Sequence, residues 1–292
     1  MNTYSELEHN KLLESFRAQP YPEEKYKLFN QIISYYYTYN RRSFVWREEI
    51  SPYSVVLSEI MLQQTQTERV AQKFPVFLNA FPDFKTLAAA PFGEVLKYYK
   101  GLGYNRRAIA LHKIAQIITQ EYNNILPDNP DILENFPGIG KATAGSIIAF
   151  AYNYPSIFIE TNIRTVFIYF FFHNQDNIHD KQILPLIEKT LDKNNPRCWY
   201  YALMDYGVWL KKTVGNLSRK SAHYAKQSKF EGSDRQIRGQ ILQSLLENTE
   251  ISKPVLLAQI NKEEPRVTKI LENLSNEGYL TIQDNTVKLI GN

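Results

Sequence analysis

Cysteine is nearly missing from this chain: Cys198 is the single one among 292 residues. One thiol excludes an internal disulfide and any metal or iron–sulfur site built from several cysteines, and its simplest role is that of a buried core thiol. Long apolar runs are missing too. The longest, around Val166 to Phe172, is far too short to span a bilayer. The opening Met1-Asn2-Thr3-Tyr4-Ser5-Glu6 lacks the basic segment and apolar stretch of a signal peptide. These absences predict a soluble, cytoplasmic protein with no membrane partner. Charge of either sign is not in large excess. A net charge of +4 and a pI near 8.8 permit nucleic-acid binding without demanding it, so the placement of the charges carries more than their sum. What is present is an ordinary globular balance, 43% hydrophobic and 22% charged, which argues against large-scale disorder. The length suffices for two domains with substantial cores.

Helical spacing dominates the order of apolar residues. Leu28, Ile32, Ile33 and Tyr36 recur on one face, as do Val55, Val56, Ile60 and Met61. Pro52, Pro82, Pro91, Pro127 and Pro130 punctuate the chain, as expected for medium helices joined by tight turns. From Lys211 to Arg238 eight basic residues stand among small and polar ones, which reads as a solvated linker or as a phosphate-binding surface. Beyond it Ile237, Ile241, Leu242, Leu245 and Leu246 mark one helix. Val255, Leu256 and Ile260 mark a short second, and Val267, Ile270, Leu271 and Leu274 a third that Gly278 ends. Tyr279–Ile282 and Val287–Ile290 alternate around Asp284-Asn285 as a small hairpin. This order is a winged-helix pattern. Arg266, Lys269 and Asn273 fall on the outer face of the third helix, the groove-entering helix of such modules; a protein-docking module has the same pattern.

Two features bear on chemistry. In Phe136-Pro137-Gly138-Ile139-Gly140-Lys141-Ala142-Thr143, two glycines flank one apolar residue just before a helix. Glycine allows positive φ and close approach, the helix start offers N–H groups to a phosphate oxygen, and Lys141 adds charge. With Ile139 anchored in a core and amphipathic helices on both sides, this predicts a helix-hairpin-helix element that holds the backbone of a nucleic acid without reading sequence. The second feature is a pair of glutamates, Glu59 and Glu160. Breaking a base–sugar bond needs one carboxyl to protonate the departing base and another to face the cationic sugar, as in sugar hydrolases. Burial beside Ile60, Met61 and Leu62 would raise the pKa of Glu59 as such an acid requires.

The run from Trp46 to Arg69, with Ser58-Glu59-Ile60-Met61-Leu62-Gln63-Gln64-Thr65 its most specific part, the block Gly101-Leu102-Gly103-Tyr104, and the hairpin followed by Glu160-Thr161-Asn162 resemble the adenine DNA glycosylases of the MutY type. These belong to the helix-hairpin-helix glycosylase superfamily with endonuclease III. The resemblance covers roughly Leu28 to Glu231. It implies a mainly α fold, a two-lobed helix-hairpin-helix DNA glycosylase with the active site between its lobes, here followed by a C-terminal winged-helix domain. Residues 1–27 become an N-terminal extension, 28–215 the glycosylase domain, 216–233 a basic loop or linker and 234–292 the winged-helix-like domain. The implied activity is excision of adenine mispaired with 8-oxoguanine or guanine. The implied partner is double-stranded DNA with a flipped-out base, bound by a monomer. The resemblance assigns Glu59 to protonation of the adenine ring and to positioning of water. Gln64 and Thr65 are assigned to wedging beside the opposite base, with Gln63 next to them in the DNA-binding set, and Tyr104 to stacking there. Glu160 falls where the family has aspartate, and Asn162 matches the asparagine that follows. Pro137, Gly138, Ile139, Gly140, Lys141 and Thr143 would hold the phosphate, where the resemblance also admits a monovalent cation.

The departures are as informative. Ala142 stands where bifunctional relatives carry a nucleophilic lysine, so no Schiff base forms there and little or no strand nicking is expected. The family's four-cysteine loop is replaced by Asn216–Tyr224, which excludes the cluster. Arg219 and Lys220 are expected to bind phosphate on a loop held by Tyr224 and Phe230, with His223 a surface residue. The usual C-terminal domain that reads 8-oxoguanine is absent, leaving Gln64, Thr65 and Tyr104 to choose the opposite base. Glu160 is about 1.5 Å longer than aspartate. It serves either a rebuilt site or a redirected one, or it merely caps a helix. Trp46 is read as core, and Arg47 as a phosphate contact or a surface ion pair. The alternatives are a glycosylase for a different lesion or mispair, and a non-catalytic binder of damaged DNA.

Overall fold

The computed structural model describes residues 4–226, 229–248 and 250–290. In chain order its helices are α1 (Glu6–Ala18), α2 (Pro22–Asn40), α3 (Val45–Glu48), α4 (Pro52–Leu62), α5 (Thr67–Ala80), α6 (Phe84–Ala89), α7 (Phe92–Tyr99) and α8 (Arg106–Glu121). Then come α9 (Pro130–Leu133), α10 (Lys141–Ile147), α11 (Thr161–Phe171), α12 (Asp180–Thr190) and α13 (Pro196–Thr213). A π-helical turn, Ile148–Tyr152, continues α10. Pro52 and Pro130 open α4 and α9, where a missing N–H costs nothing. No helix among the described residues is long and apolar enough to cross a membrane. The chain divides into two compact units. The first holds Met1–Val55, Asp128–Asn135 and Ile139–Lys226; the second holds Val56–Pro127, Phe136–Gly138 and Gln227–Asn292.

The core of the first unit is aromatic. Ile32, Ile33 and Tyr36 of the stripe expected on α2 are buried, but its fourth place is taken by Phe29 rather than by Leu28, which is only half-buried. Phe29 meets Phe167 and Phe170 of α11 at 5.2 and 5.1 Å between ring centroids, and Tyr36 meets Tyr206 of α13 edge-on at 5.1 Å. Each such ring contributes about 1.5–3 kcal/mol by leaving water. Asp205, 2% exposed, lies within this core. It accepts from Arg42 Nε at 2.7 Å and Arg42 N at 2.9 Å, and Arg47 Nη1 reaches both its oxygens at 3.0 Å. Arg47 therefore serves neither a phosphate nor a surface pair: it neutralises a buried carboxylate and lies 4.3 Å from the Tyr201 ring. Trp46 is core, as expected. Cys198 is only half-buried, so the reading of it as a core thiol needs correction; burial nevertheless pushes the thiol up from its ordinary range.

In the second unit α5 to α8 pack around Phe77, Leu87, Val95, Leu111, Ile114 and Ile118, all fully buried. Its C-terminal part runs α14 (Asp234–Glu247), β1 (Glu250–Ser252), α15 (Lys253–Ile260), α16 (Glu264–Asn276), β2 (Leu280–Gln283) and β3 (Thr286–Leu289). The three strands form an antiparallel sheet in the order β1-β3-β2, with Ile251 and Ile282 both opposite Val287. Asp284 and Asn285, at φ of 49° and 63°, make the tight turn between β2 and β3 that their residue types favour. Gly278, at φ +81°, ends α16 as expected. The strand β1 has no counterpart in the sequence reading, because three residues with one apolar side chain are too short to show a period.

Candidate active site and nucleic-acid interface

Glu59 lies on the last turn of α4, half-exposed, while its neighbours Ile60 and Met61 are fully buried. The burial expected for this carboxyl is thus only partial, and Leu62 is half-buried as well. Immediately after α4 the chain turns sharply at Gln64, whose φ is +55°. Within the same unit the Gly101–Tyr104 loop turns likewise: Gly101, Gly103 and Tyr104 have φ of +95°, +72° and +48°. Left-handed backbone at a side-chain-bearing residue costs roughly 1 kcal/mol and persists only where surroundings enforce it.

What enforces both turns is Arg107, which the sequence reading passed over. This residue is 7% exposed. Its Nη1 donates to the carbonyls of Ile60 at 3.2 Å, Met61 at 2.7 Å and Gln63. Its Nη2 donates to Leu102 at 3.0 Å and Gly103 at 2.9 Å. One guanidinium thus satisfies the carbonyls that end α4 and those of the Tyr104 loop. Thr65 adds a third tie, its Oγ1 donating to Leu102 O at 3.3 Å. Burial lowers the Arg107 pKa from its ordinary range, with Tyr99 and Tyr104 opposing that shift. Arginine remains charged in proteins all the same. A lone arginine before an apolar helix is usually a surface residue, so only its partners reveal this role.

The hairpin behaves as predicted. Gly138 has φ of +76°, and a Cβ there would meet Ala110 Cβ at 3.0 Å. Ile139 is buried, while Gly140 and Lys141 are exposed at the start of α10. The first bond of that helix runs from Ala144 N to Gly140 O at 2.9 Å, so the amides of Lys141 and Ala142 open it. Pro137 and Thr143 are half-buried beside them. Gln63 Nε2 donates to Gly138 O at 3.0 Å, which ties the Glu59 segment to the hairpin turn.

Glu160 is the N-cap of α11. Its Oε1 accepts from Asn162 N at 2.8 Å and Ile163 N at 3.0 Å, and its Oε2 from Asn162 Nδ2 at 3.2 Å. Burial raises its pKa above 4.5, outweighing those three hydrogen bonds and the charge of Arg164. The side chain itself keeps some solvent contact. The start of α11 is set by Gly207, a second residue whose role was not foreseen. A Cβ at 207 would fall 2.6 Å from Asn162 O and 2.7 Å from Asn162 Cβ. Only glycine lets α13 approach α11 so closely.

The loop after α13 carries no cysteine, and the half-buried Cys198 on α13 cannot hold an iron–sulfur cluster alone, so these residues do not fit that group. The loop is not held by Tyr224 and Phe230 either, which are 42% and 59% exposed. Backbone holds it instead: Ile178 N donates to Lys220 O and Ala222 N to Ile178 O, both at 2.9 Å. Lys220 Nζ donates to His173 O at 2.6 Å, and Asp180 N to His223 Nε2 at 3.4 Å. Arg164 grips Asp180 through Nε at 2.7 Å and Nη2 at 2.8 Å. Arg219 stays exposed. The basic stretch from Lys211 to Arg238 thus includes the end of α13, a 3₁₀ turn, Leu217–Lys220, and the start of α14. In the C-terminal part Lys269 and Asn273 are exposed on α16, whereas Arg266 donates to Asp234 at 2.8 Å and Gly232 O at 2.8 Å.

Residues 57–193 match the family model of the HhH-GPD superfamily base excision DNA repair proteins. The chain is 30% identical over 249 residues to an adenine DNA glycosylase of Mycolicibacterium smegmatis, covering 77% of this chain and 82% of that protein. It is 36% identical over 184 residues to an adenine DNA glycosylase of Buchnera aphidicola subsp. Baizongia pistaciae (strain Bp), covering 62% of this chain and 52% of that one. The chain therefore spans about half the length of such Buchnera relatives. A solved thermostable thymine-DNA glycosylase superposes with a TM-score of 0.57 at 25% identity, over 63% of this chain and 86% of its own. With the hairpin, the Glu59 segment and the capped start of α11 in place, the chain belongs to the adenine DNA glycosylases of this base-excision-repair superfamily.

Proposed function

We propose that this protein is a monofunctional DNA glycosylase that hydrolyses the N-glycosidic bond of adenine mispaired with 8-oxoguanine or guanine. The observation that carries the reading is the Arg107 clamp, which makes the acid Glu59 and the residues Gln64 and Tyr104 parts of one braced segment. A base inside a duplex must be extruded before its bond to sugar can be reached. Gln64, Thr65 and Tyr104 fill the vacated space and offset part of the unstacking cost. Gly138 to Lys141 hold a phosphate of the same strand through backbone N–H groups, with Pro137, Ile139 and Thr143 shaping that turn. The hairpin carbonyls are donors of the kind a monovalent cation takes; no step passes through one.

Glu59 then donates its proton to the adenine ring, and the C1′–N9 bond breaks with its electron pair going to the base. The sugar is left cationic. Glu160, fixed by Asn162 and by the positive end of α11, supplies the opposing negative charge. Water adds to C1′ and gives up its proton to the Glu59 carboxylate, which restores the acid. Ala142 offers no amine to trap the sugar, so the product is an intact abasic strand. Arg219 and Lys141 contribute salt-sensitive phosphate contacts.

The test is a panel of duplexes, each with one mispair, incubated with protein and then cleaved with alkali at abasic sites. Release of adenine opposite 8-oxoguanine or guanine is expected, and its loss in Glu59→Gln with binding retained. An active Glu59→Gln would remove this residue from the mechanism, and retained binding without abasic product from any duplex would leave only a DNA-binding protein. A second reading, excision of a different base, is favoured by Glu160, whose longer arm changes the site's reach. Product solely from a non-adenine mispair would establish it.

A further inference from the structure

The residue read as stacking beside the opposite base is held by a group 131 positions further along the chain. Tyr104 Oη accepts a hydrogen bond from Arg235 Nη1 at 2.8 Å, and the guanidinium carbon of Arg235 lies 5.5 Å from the tyrosine ring centroid. Arg107 approaches the same ring at 5.5 Å. Arg235 is on the first turn of α14, and its Nη2 donates to Lys229 O at 3.4 Å, which fixes the guanidinium itself. Two residues past Tyr104 the contact is repeated. Arg106 donates to Glu277 through Nε at 3.0 Å and Nη2 at 2.6 Å, while Arg238 donates to the same carboxylate at 3.1 and 2.5 Å. Tyr279 packs edge-on against Phe92 at 6.0 Å. All of these groups belong to the second unit.

A tyrosine at φ +48° on a two-glycine loop has little intrinsic reason to keep one orientation. Arg107 fixes the loop backbone, and Arg235 grips the hydroxyl end. We propose that Arg235 is a positioning residue for Tyr104, so that the C-terminal domain sets how strongly the base opposite the excised one is discriminated. The inference rests on the reading of Tyr104 given above. It gives the C-terminal domain a part in base choice without requiring α16 to enter a groove.

The test compares wild type, Arg235→Ala, Arg235→Lys, Tyr104→Phe and the double variant Arg235→Ala/Tyr104→Phe. The probes are duplexes with a non-cleavable tetrahydrofuran abasic site opposite 8-oxoguanine, guanine or cytosine, so the binding readout does not depend on catalysis. The ratio of dissociation constants between 8-oxoguanine and cytosine duplexes should fall about fivefold to tenfold in Arg235→Ala, the scale of one net hydrogen bond. Arg235→Lys should restore part of it, and the double variant should be no worse than Arg235→Ala alone. The single-turnover rate at saturating protein should change far less than the ratio. An unchanged ratio in Arg235→Ala, a uniform loss over all three duplexes, or additive effects in the double variant would each overturn the proposal. Absence of adenine release by wild type would instead strike the activity proposed above, while the binding ratios still decide on Arg235.

Discussion

Arg107→Ala should unfasten the site before it unfolds the protein. The substitution removes a guanidinium that reaches five carbonyls, three ending α4 and two in the Gly101–Tyr104 loop, at a position 7% exposed. Each buried carbonyl left without a donor costs about 1–3 kcal/mol, less where water follows the side chain in. Taking most of them as rehydrated, the loss is about 3–5 kcal/mol, the range for breaking a buried charged contact. A domain of ordinary stability, about 5–15 kcal/mol, survives that. The two left-handed turns at Gln64 and Tyr104 loosen first, because the remaining ties from Thr65 and Arg235 are single hydrogen bonds. Arg107→Lys keeps the charge but has a rotating ammonium in place of a planar fork, so it cannot span both loops; roughly half the loss is expected. Urea unfolding of both variants gives the stability change, and hydrogen exchange at 62–65 and 101–104 shows whether the loss is local. A cost under about 1 kcal/mol for Arg107→Ala, with these loops protected as in wild type, would refute the clamp.

Three further outcomes are expected. Gly207→Ala places a methyl 2.6 Å from Asn162 O, so α11 and α13 must part. Overpacking of this kind costs about 1–3 kcal/mol, and a shift of about 1 Å at Glu160 costs roughly 100-fold in rate; full single-turnover activity would dismiss the close approach as unimportant. Glu160→Asp should keep the helix cap, since aspartate caps well, while drawing the charge back by about 1.5 Å. A rate below wild type is expected if the site is built for glutamate, and a much faster variant would mean the native site is impaired. The Glu160 pKa is raised above 4.5 by burial, so the folded state holds its proton to higher pH than the unfolded state. Its contribution to stability is therefore present below 4.5 and lost as pH rises through the folded value. Relative to Glu160→Gln, wild type should lose stability over that window, and the opposite slope in paired denaturation curves would contradict the burial.

Much of the fold follows from local pattern. The helical stripe on α2, the glycine turn before α10 and the Asp284-Asn285 turn all rest on contacts or dihedrals within a few residues, and each is where its spacing puts it. The segment carrying Glu59 is legible for another reason: its residue string is long and specific. What stayed illegible depends on partners far away in sequence. Arg47 reads as a surface cation until Asp205, 158 positions on, is seen beside it. The basic loop reads as needing aromatic anchors because a backbone bridge from Ile178 to Ser221 leaves no trace in residue type.

The sequence by itself determined the chemistry available: a glutamate in the Ser58–Thr65 string, another before Asn162, two glycines in a hairpin, no lysine at 142 and one cysteine in all. Those are properties of residue identity and short spacing, which need no neighbours to be read. Only the tertiary structure decided how these groups are held: Arg107 bracing two strained loops, Gly207 seating Asn162, and Arg235 gripping Tyr104 from 131 residues away. The physical reason is that a hydrogen bond or a steric contact depends on position in space, and folding brings together residues whose separation along the chain carries no mark of that meeting.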